Sequence, residues 1–216
     1  PGDIAVTAGL EAEAARSWSN LMVAAEKGDA QAVRAELAAG ADINQTDAGG
    51  WSALHLAAHN ERIAVLEALI SHPAIDINSR NKWKSTPLSL AAAKGHYDCS
   101  QALAGDARID INARADYYGR TALIEAARNG HLDVVKLLVE HGADVNLADK
   151  TGRNSALIEA IKGRHYEVAE YLLESRKVNF LNKDMRLNAL IWAGSTRNAQ
   201  LIQTLDTAIQ SFFEGK

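Results

Sequence analysis

Residues 121–146 read TALIEAARNGHLDVVKLLVEHGADVN, and the fold turns on this stretch. Leu123, Ala126 and Ala127 suit a short helix with a small-residue face. Val134, Val135, Leu137 and Leu138 suit an amphipathic helix of about ten residues. Asn129-Gly130-His131 stands between them as a helix-ending turn, because glycine tolerates the left-handed backbone such a turn needs. His141-Gly142-Ala143-Asp144 ends the second helix in the same way. From Asn146 to Thr151-Gly152 helical periodicity is lost and turn formers collect, which predicts an extended finger with a tight turn.

The stretch repeats. Its opening motif, Thr121–Ala127, has counterparts at Ser52–Ala58, Thr86–Ala92, Ser155–Ile161 and Asn188–Gly194, with steps of 34, 35, 34 and 33 residues. A weaker copy, Ser19–Ala25, starts 33 residues before the first. A second series keeps phase with it: Asp42-Ile43-Asn44, Asp76-Ile77-Asn78, Asp110-Ile111-Asn112, Asp144-Val145-Asn146 and Lys177-Val178-Asn179. Two independent motifs holding one period predict a stack of like units.

Composition agrees. The chain has 216 residues, 47% hydrophobic, 23% charged and 6% aromatic. That balance can bury a core and excludes wholesale disorder. Forty alanines favour helices that approach one another closely. No apolar run approaches the roughly 18–20 residues that cross a bilayer, so no membrane partner is expected. The single Cys99 can form neither an internal disulfide nor, alone, a thiolate metal site. A net charge of −4 argues against non-specific nucleic-acid binding, which needs a strong positive field. The chain opens Pro1-Gly2-Asp3 without methionine, which reads as a fragment or a processed product and leaves the compartment open. A cytoplasmic place is expected, with a secreted effector or a periplasmic protein as alternatives.

The unit from Asp116 through Gly119-Arg120-Thr121 to Val145-Asn146 resembles the ankyrin-repeat family, and the resemblance extends over residues 18–216. It implies an all-α solenoid of about six helix–turn–helix units with short β-hairpin fingers, spanning about 18–46, 47–80, 81–114, 115–148, 149–181 and 182–216. Residues 1–17 would form a leader containing a capping helix around Leu10–Arg16. Several positions depart from the family pattern. Extra residues fall in His72–Asp76, in Asp106–Asp110 and at Arg153-Asn154-Ser155, and Glu61 and Arg164 stand where glycine is usual. Terminal units of a solenoid need polar outer faces. The first copy and the segment from Asn198 onward, with Gln200, Gln203, Asp206 and Gln210, are expected to serve as caps.

Catalytic patterns are missing: the sequence holds no G-x-S-x-G, P-loop, H-E-x-x-H or C-x-x-C string. His96 and Cys99 are three apart and could pair as imidazole and thiol, but His96 matches His131 and His165 as a repeat position. Nucleophile activation needs an orienting third group as well. The other histidines lack ligand spacing, with His55 expected to hydrogen-bond near Ser52. Neither catalysis, a metal nor a cofactor is expected.

Function then falls to positions that do not hold the stack together. In the family, the fingers and inner helices line a surface that binds other proteins. Trp51, Trp83, Tyr117 and Tyr118, four of the nine Trp and Tyr residues, cluster at three successive fingertips. Exposed rings are enriched at binding hot spots, although each could instead shield its own hairpin. Equivalent inner-helix positions read Val23, Leu56, Leu90, Glu125, Glu159 and Trp192, flanked by Lys94, Arg128 and Lys162. Glu125 with Arg128 and Glu159 with Lys162 are spaced to pair along one helix. Lys82, Lys84, Arg114, Arg120, Lys150, Arg153 and Arg186, with Lys183 and Asp184 beside the last, give the tips a basic tilt that would steer an acidic partner.

The expectation is a monomeric protein–protein interaction module. A partner's apolar or aromatic segment would lie over Trp51, Trp83, Leu56 and Leu90, and its acidic groups would meet Arg120, Arg128 and Arg153. The alternatives are a recruiting arm of a larger enzyme or effector, and a tight-binding enzyme inhibitor.

Overall fold

The computed structural model describes residues 18–175 and 177–214, so the leader helix expected within residues 1–17 lies outside the described residues. Among the described residues twelve helices follow in pairs: Asn20–Lys27 (α1) and Ala30–Ala38 (α2), Ala53–His59 (α3) and Ile63–Ile70 (α4), Pro87–Lys94 (α5) and Tyr97–Ala104 (α6). Then come Ala122–Arg128 (α7) and Leu132–Glu140 (α8), Ala156–Lys162 (α9) and Tyr166–Glu174 (α10), and Lys183–Thr196 (α11) and Ala199–Glu214 (α12). The odd-numbered helices pack in one row and the even-numbered helices in a second, each on its neighbours only. This is the all-α solenoid the period demands.

Helices this short need their ends satisfied. The hydroxyls of Ser52, Thr86 and Thr121 accept from the third backbone N–H of α3, α5 and α7, each cap contributing about 1 kcal/mol. Ser155 holds the same N-cap position before α9 but its side chain caps nothing, and its buried hydroxyl has no partner among the described residues. The inner row meets through alanine: Ala57, Ala58, Ala91, Ala92, Ala126, Ala127 and Ala160 are all fully buried.

The Asp-x-Asn series is the stitch between units. Each aspartate accepts from the asparagine N–H two residues on, as Asp76 does from Asn78. Asn44, Asn78, Asn112 and Asn146 then reach into the next unit. Asn78 Nδ2 donates to the Arg108 carbonyl and Asn78 Oδ1 accepts from Asp110 N–H, both at 2.8 Å. Asn44 and Asn146 repeat the double bond to their own following units. The enlarged loop 106–110 adds a clamp: Arg108 pairs with Asp106 and donates to the carbonyls of Ile70 and His72.

Gly-His pairs form a third link. Gly95 and Gly130 end α5 and α7 with positive φ, and a Cβ on either would fall within 2.6 and 2.3 Å of the imidazole of His131 and His165. His96 and His131 cap no helix with their side chains; their Nε2–H groups donate to the carbonyls of His59 and Ala93 in the preceding unit. The imidazole of His96 thus holds its unit to the preceding one, with Nδ1 3.5 Å from Glu61. Cys99 is fully buried, and burial, with Glu61, Asp98 and Glu67 adding, pushes its thiol up to about 11.

The fingers are short hairpins with isolated antiparallel bridges at Thr46–Ser52 and Ala148–Ser155, and no strand longer than a bridge occurs among the described residues. Two expectations change. The last unit has no fingertip of the others' kind: Lys183, Asp184 and Arg186 lie in the first turn of α11. Nothing between Asn182 and Leu190 is a glycine or proline, so the helix starts early, with Asn182 accepting from Met185 N–H at 3.1 Å. Nor is the last unit polar on its outer side, since Leu187, Leu190 and Ile191 stand exposed on α11.

Candidate docking face on the fingers and inner helices

Each finger is built on one acceptor side chain. Asp47 accepts from Gly49 N–H and Trp51 N–H at 2.8 Å, and from Trp18 Nε1–H at 3.0 Å. Asn81 accepts from Trp83 N–H and Ser85 N–H, Asp116 from Arg120 N–H, and Asp149 from Thr151 N–H and Asn154 Nδ2–H. These four positions were missed from sequence, although they recur at 34, 35 and 33 residues and the period alone could have found them. Fingers are also sewn together: Lys82 N–H donates to the Gly49 carbonyl, and Lys150 N–H to the Tyr118 carbonyl. The fingertips therefore present their side chains from a fixed edge.

The aromatic row divides in two. Trp51 is half-buried, edge-on to His59 at 5.2 Å and to Trp83 at 6.4 Å. It shields its own hairpin. Trp83, Tyr117 and Tyr118 are 53%, 58% and 65% exposed. Tyr117 is anchored by its hydroxyl, which donates to the Lys82 carbonyl at 2.6 Å, and Lys84 Nζ lies 5.6 Å from its ring centre. Tyr118 lies under Arg120, 4.9 Å from guanidinium carbon to ring centre. Lys84 takes φ +64° where Gly50, Gly119 and Gly152 stand in the other fingers. An L-residue there costs roughly 1–2 kcal/mol, yet this finger keeps a lysine.

The inner-helix face differs from expectation at two residues. Leu56 is buried by its neighbours and offers a partner nothing, whereas Leu90 remains half-exposed. Arg120 is held, largely buried, between Asp116 at 2.8 Å and Glu125 at 3.2 Å, so it is not available to a partner's carboxylate. Arg128 bridges Glu125 at 3.9 Å and Glu159 at 3.6 Å, and Lys162 pairs with Glu159 at 3.3 Å and lies over Trp192 at 5.2 Å. Both helical pairs read from spacing are present. Burial raises the Glu125 carboxyl; Arg120 and Arg128 work against it and Asp116 and Glu159 with it. Lys82, Lys94, Lys150 and Arg153 are exposed and form no ion pair among the described residues.

Helix pairs stacked at this period, with capped alanine-rich inner helices and sewn fingers, define an ankyrin-type solenoid. A family model described as ankyrin repeats (3 copies) matches residues 21–115, 75–149 and 114–184, and the chain belongs to that family. It is 35% identical over 77 residues to Rabankyrin-5 of Mus musculus and 34% identical over 77 residues to Rabankyrin-5 of Homo sapiens. The matched stretch is 36% of this chain and 7% of each relative, so only a small part of those proteins is represented. Members of the family serve generally as protein–protein interaction modules.

Proposed function

We propose that the chain is a non-catalytic recognition module whose finger edge binds an acidic segment of another protein. Trp83, Tyr117 and Tyr118 supply the contact area, and Lys82, Lys84, Lys150 and Arg153 supply the field. The observation that carries this reading is the row of three exposed rings held on a rigid edge, since rigid aromatics bury much area with few rotamers to freeze. The left-handed Lys84 supports it, because strain of this kind collects where a side chain is needed. Leu90 and Lys94 extend the face onto α5, while Trp51 supports Trp83 from behind. The same face would serve as a recruiting arm within a longer protein, a reading favoured by the length of the relatives.

The test is a titration against acidic peptides bearing one aromatic or aliphatic residue, with duplex DNA as a control. Trp83→Ala and Tyr118→Ala should each weaken peptide binding about tenfold or more. Affinity should also fall as salt is raised, since the cations are exposed. Unchanged affinity in both variants, or DNA binding as tight as peptide binding, would overturn the proposal.

A further inference from the structure

Among the described residues nothing is stacked on the stacking face of α11. Leu190 corresponds in the repeat to Leu54, Leu88, Leu123 and Leu157, and Ile191 to His55, Ser89, Ile124 and Ile158. The four leucines are at most 2% exposed and the four that follow them at most 4%, whereas Leu190 is 38% and Ile191 57% exposed. In the interior these positions face the following unit, as His55 shows by donating from Nε2 to the Ser85 carbonyl. Leu187 and Gly194 lie on the same helical face, three residues before Leu190 and three after Ile191. Gly194 is exposed, and a Cβ on it would meet nothing within 4 Å. Glycine inside a helix costs roughly 1 kcal/mol against alanine, and no contact among the described residues requires it.

This face is complementary to itself. With two copies of α11 antiparallel and a twofold axis between Leu190 and Ile191, Leu187 stands level with Gly194 of the second copy. Leu190 stands level with Ile191, and exposed Asp184 with exposed Arg197. Large meets small, apolar meets apolar, and a carboxylate at one end meets a guanidinium at the other. A head-to-tail arrangement fits less well. The first described helix, α1, carries exposed Asn20 at the position where Ala53, Pro87, Ala122 and Ala156 are buried, so α1 offers a polar residue there. Head-to-tail contact would also leave open ends, whereas a twofold contact closes.

We infer that two copies of this chain associate tail to tail through the Leu187, Leu190, Ile191 and Gly194 face of α11, continuing the stack across a twofold axis. The fingertip edge is made by other residues, so this inference does not depend on the proposed function.

The test uses the full chain in sedimentation at rising concentration. A single helix face lies at the small end of interface sizes, so the contact is a weak one and the mass should double only in concentrated samples. Ile191→Glu should hold the chain at monomer mass with its helical circular dichroism unchanged. The double variant Leu187→Cys with Gly194→Cys should form an interchain disulfide on oxidation, whereas Leu187→Cys alone should not, because residue 187 of one copy lies about 10 Å along the antiparallel axis from residue 187 of the other. Cys99 is buried and does not compete. Monomer mass at every concentration, or equal cross-linking by the single and double variants, would overturn the inference.

Discussion

Arg164 adopts φ +60° at the turn between α9 and α10, where a glycine would carry no penalty. Its side chain makes no ion pair among the described residues, so nothing offsets that strain. Arg164→Gly should therefore raise unfolding free energy by about 1 kcal/mol, read as a shift in the urea midpoint. Glu61 has the same backbone at φ +57° but stands 3.5 Å from His96, so Glu61→Gly should gain less. His55 carries a pH dependence. Its Nε2–H donates to Ser85 and its Nδ1 accepts from Ser52 N–H, so both nitrogens are committed to the neutral ring. Burial lowers it below its ordinary 6.5, against the carbonyls of Ser85 and Ser79 and the charges of Asp47 and Asp76. Burial, aided by Lys94 and His96, lowers His59 in the same direction. Above pH 6.5 both rings are neutral in the folded and the unfolded chain, so neither makes stability depend on pH. As pH falls through 6.5 the unfolded chain takes up protons that the native chain refuses, and stability declines. Melting temperature should drop between pH 7.5 and 5.5, with a shallower drop in His55→Gln.

At the scale of the element, what joins one helix pair to the next is side chain to backbone. Asn78 makes two such bonds to the following unit, and Asn78→Ala should cost about 1–3 kcal/mol, measured by chemical unfolding. Gly130→Ala should cost more than the equivalent change at Gly142. Both have positive φ, but only at Gly130 does the new Cβ meet the His165 ring. The comparison separates backbone strain, common to both variants, from the inter-unit collision. A penalty equal at the two sites would mean that His165 yields freely.

For the molecule as a whole, a stack in which each unit touches only its neighbours should open from the ends. The last pair is the weaker end: α12 has sixteen residues and buries only Leu201 and Leu205, and the stacking side of α11 faces solvent. Hydrogen exchange should be fastest in α11 and α12 and slowest in α3 to α8. Association through α11 should slow exchange there at high concentration, and uniform protection along the chain would contradict nearest-neighbour stacking.

The helix pairs and the Gly-His turns were legible in the chain because each is fixed by spacing of a few residues, and the period because two motifs recur in phase. The ion pairs within α7 and α9 were legible for the same reason. Other outcomes depended on what a neighbouring unit places beside a residue. Trp51 is covered because Trp83 and His59 stand against it, whereas Trp83 has no comparable cover. Leu56 is buried and Leu90 half-exposed at one repeat position. Arg120 is spent on Asp116 and Glu125, a choice made by the approach of finger to helix. Leu190 and Ile191 stand exposed, although in every earlier copy a following unit covers their equivalents. Local chemistry chose the unit and its repetition; the contacts between units, set by distances across the stack, chose which side chains are left for another molecule.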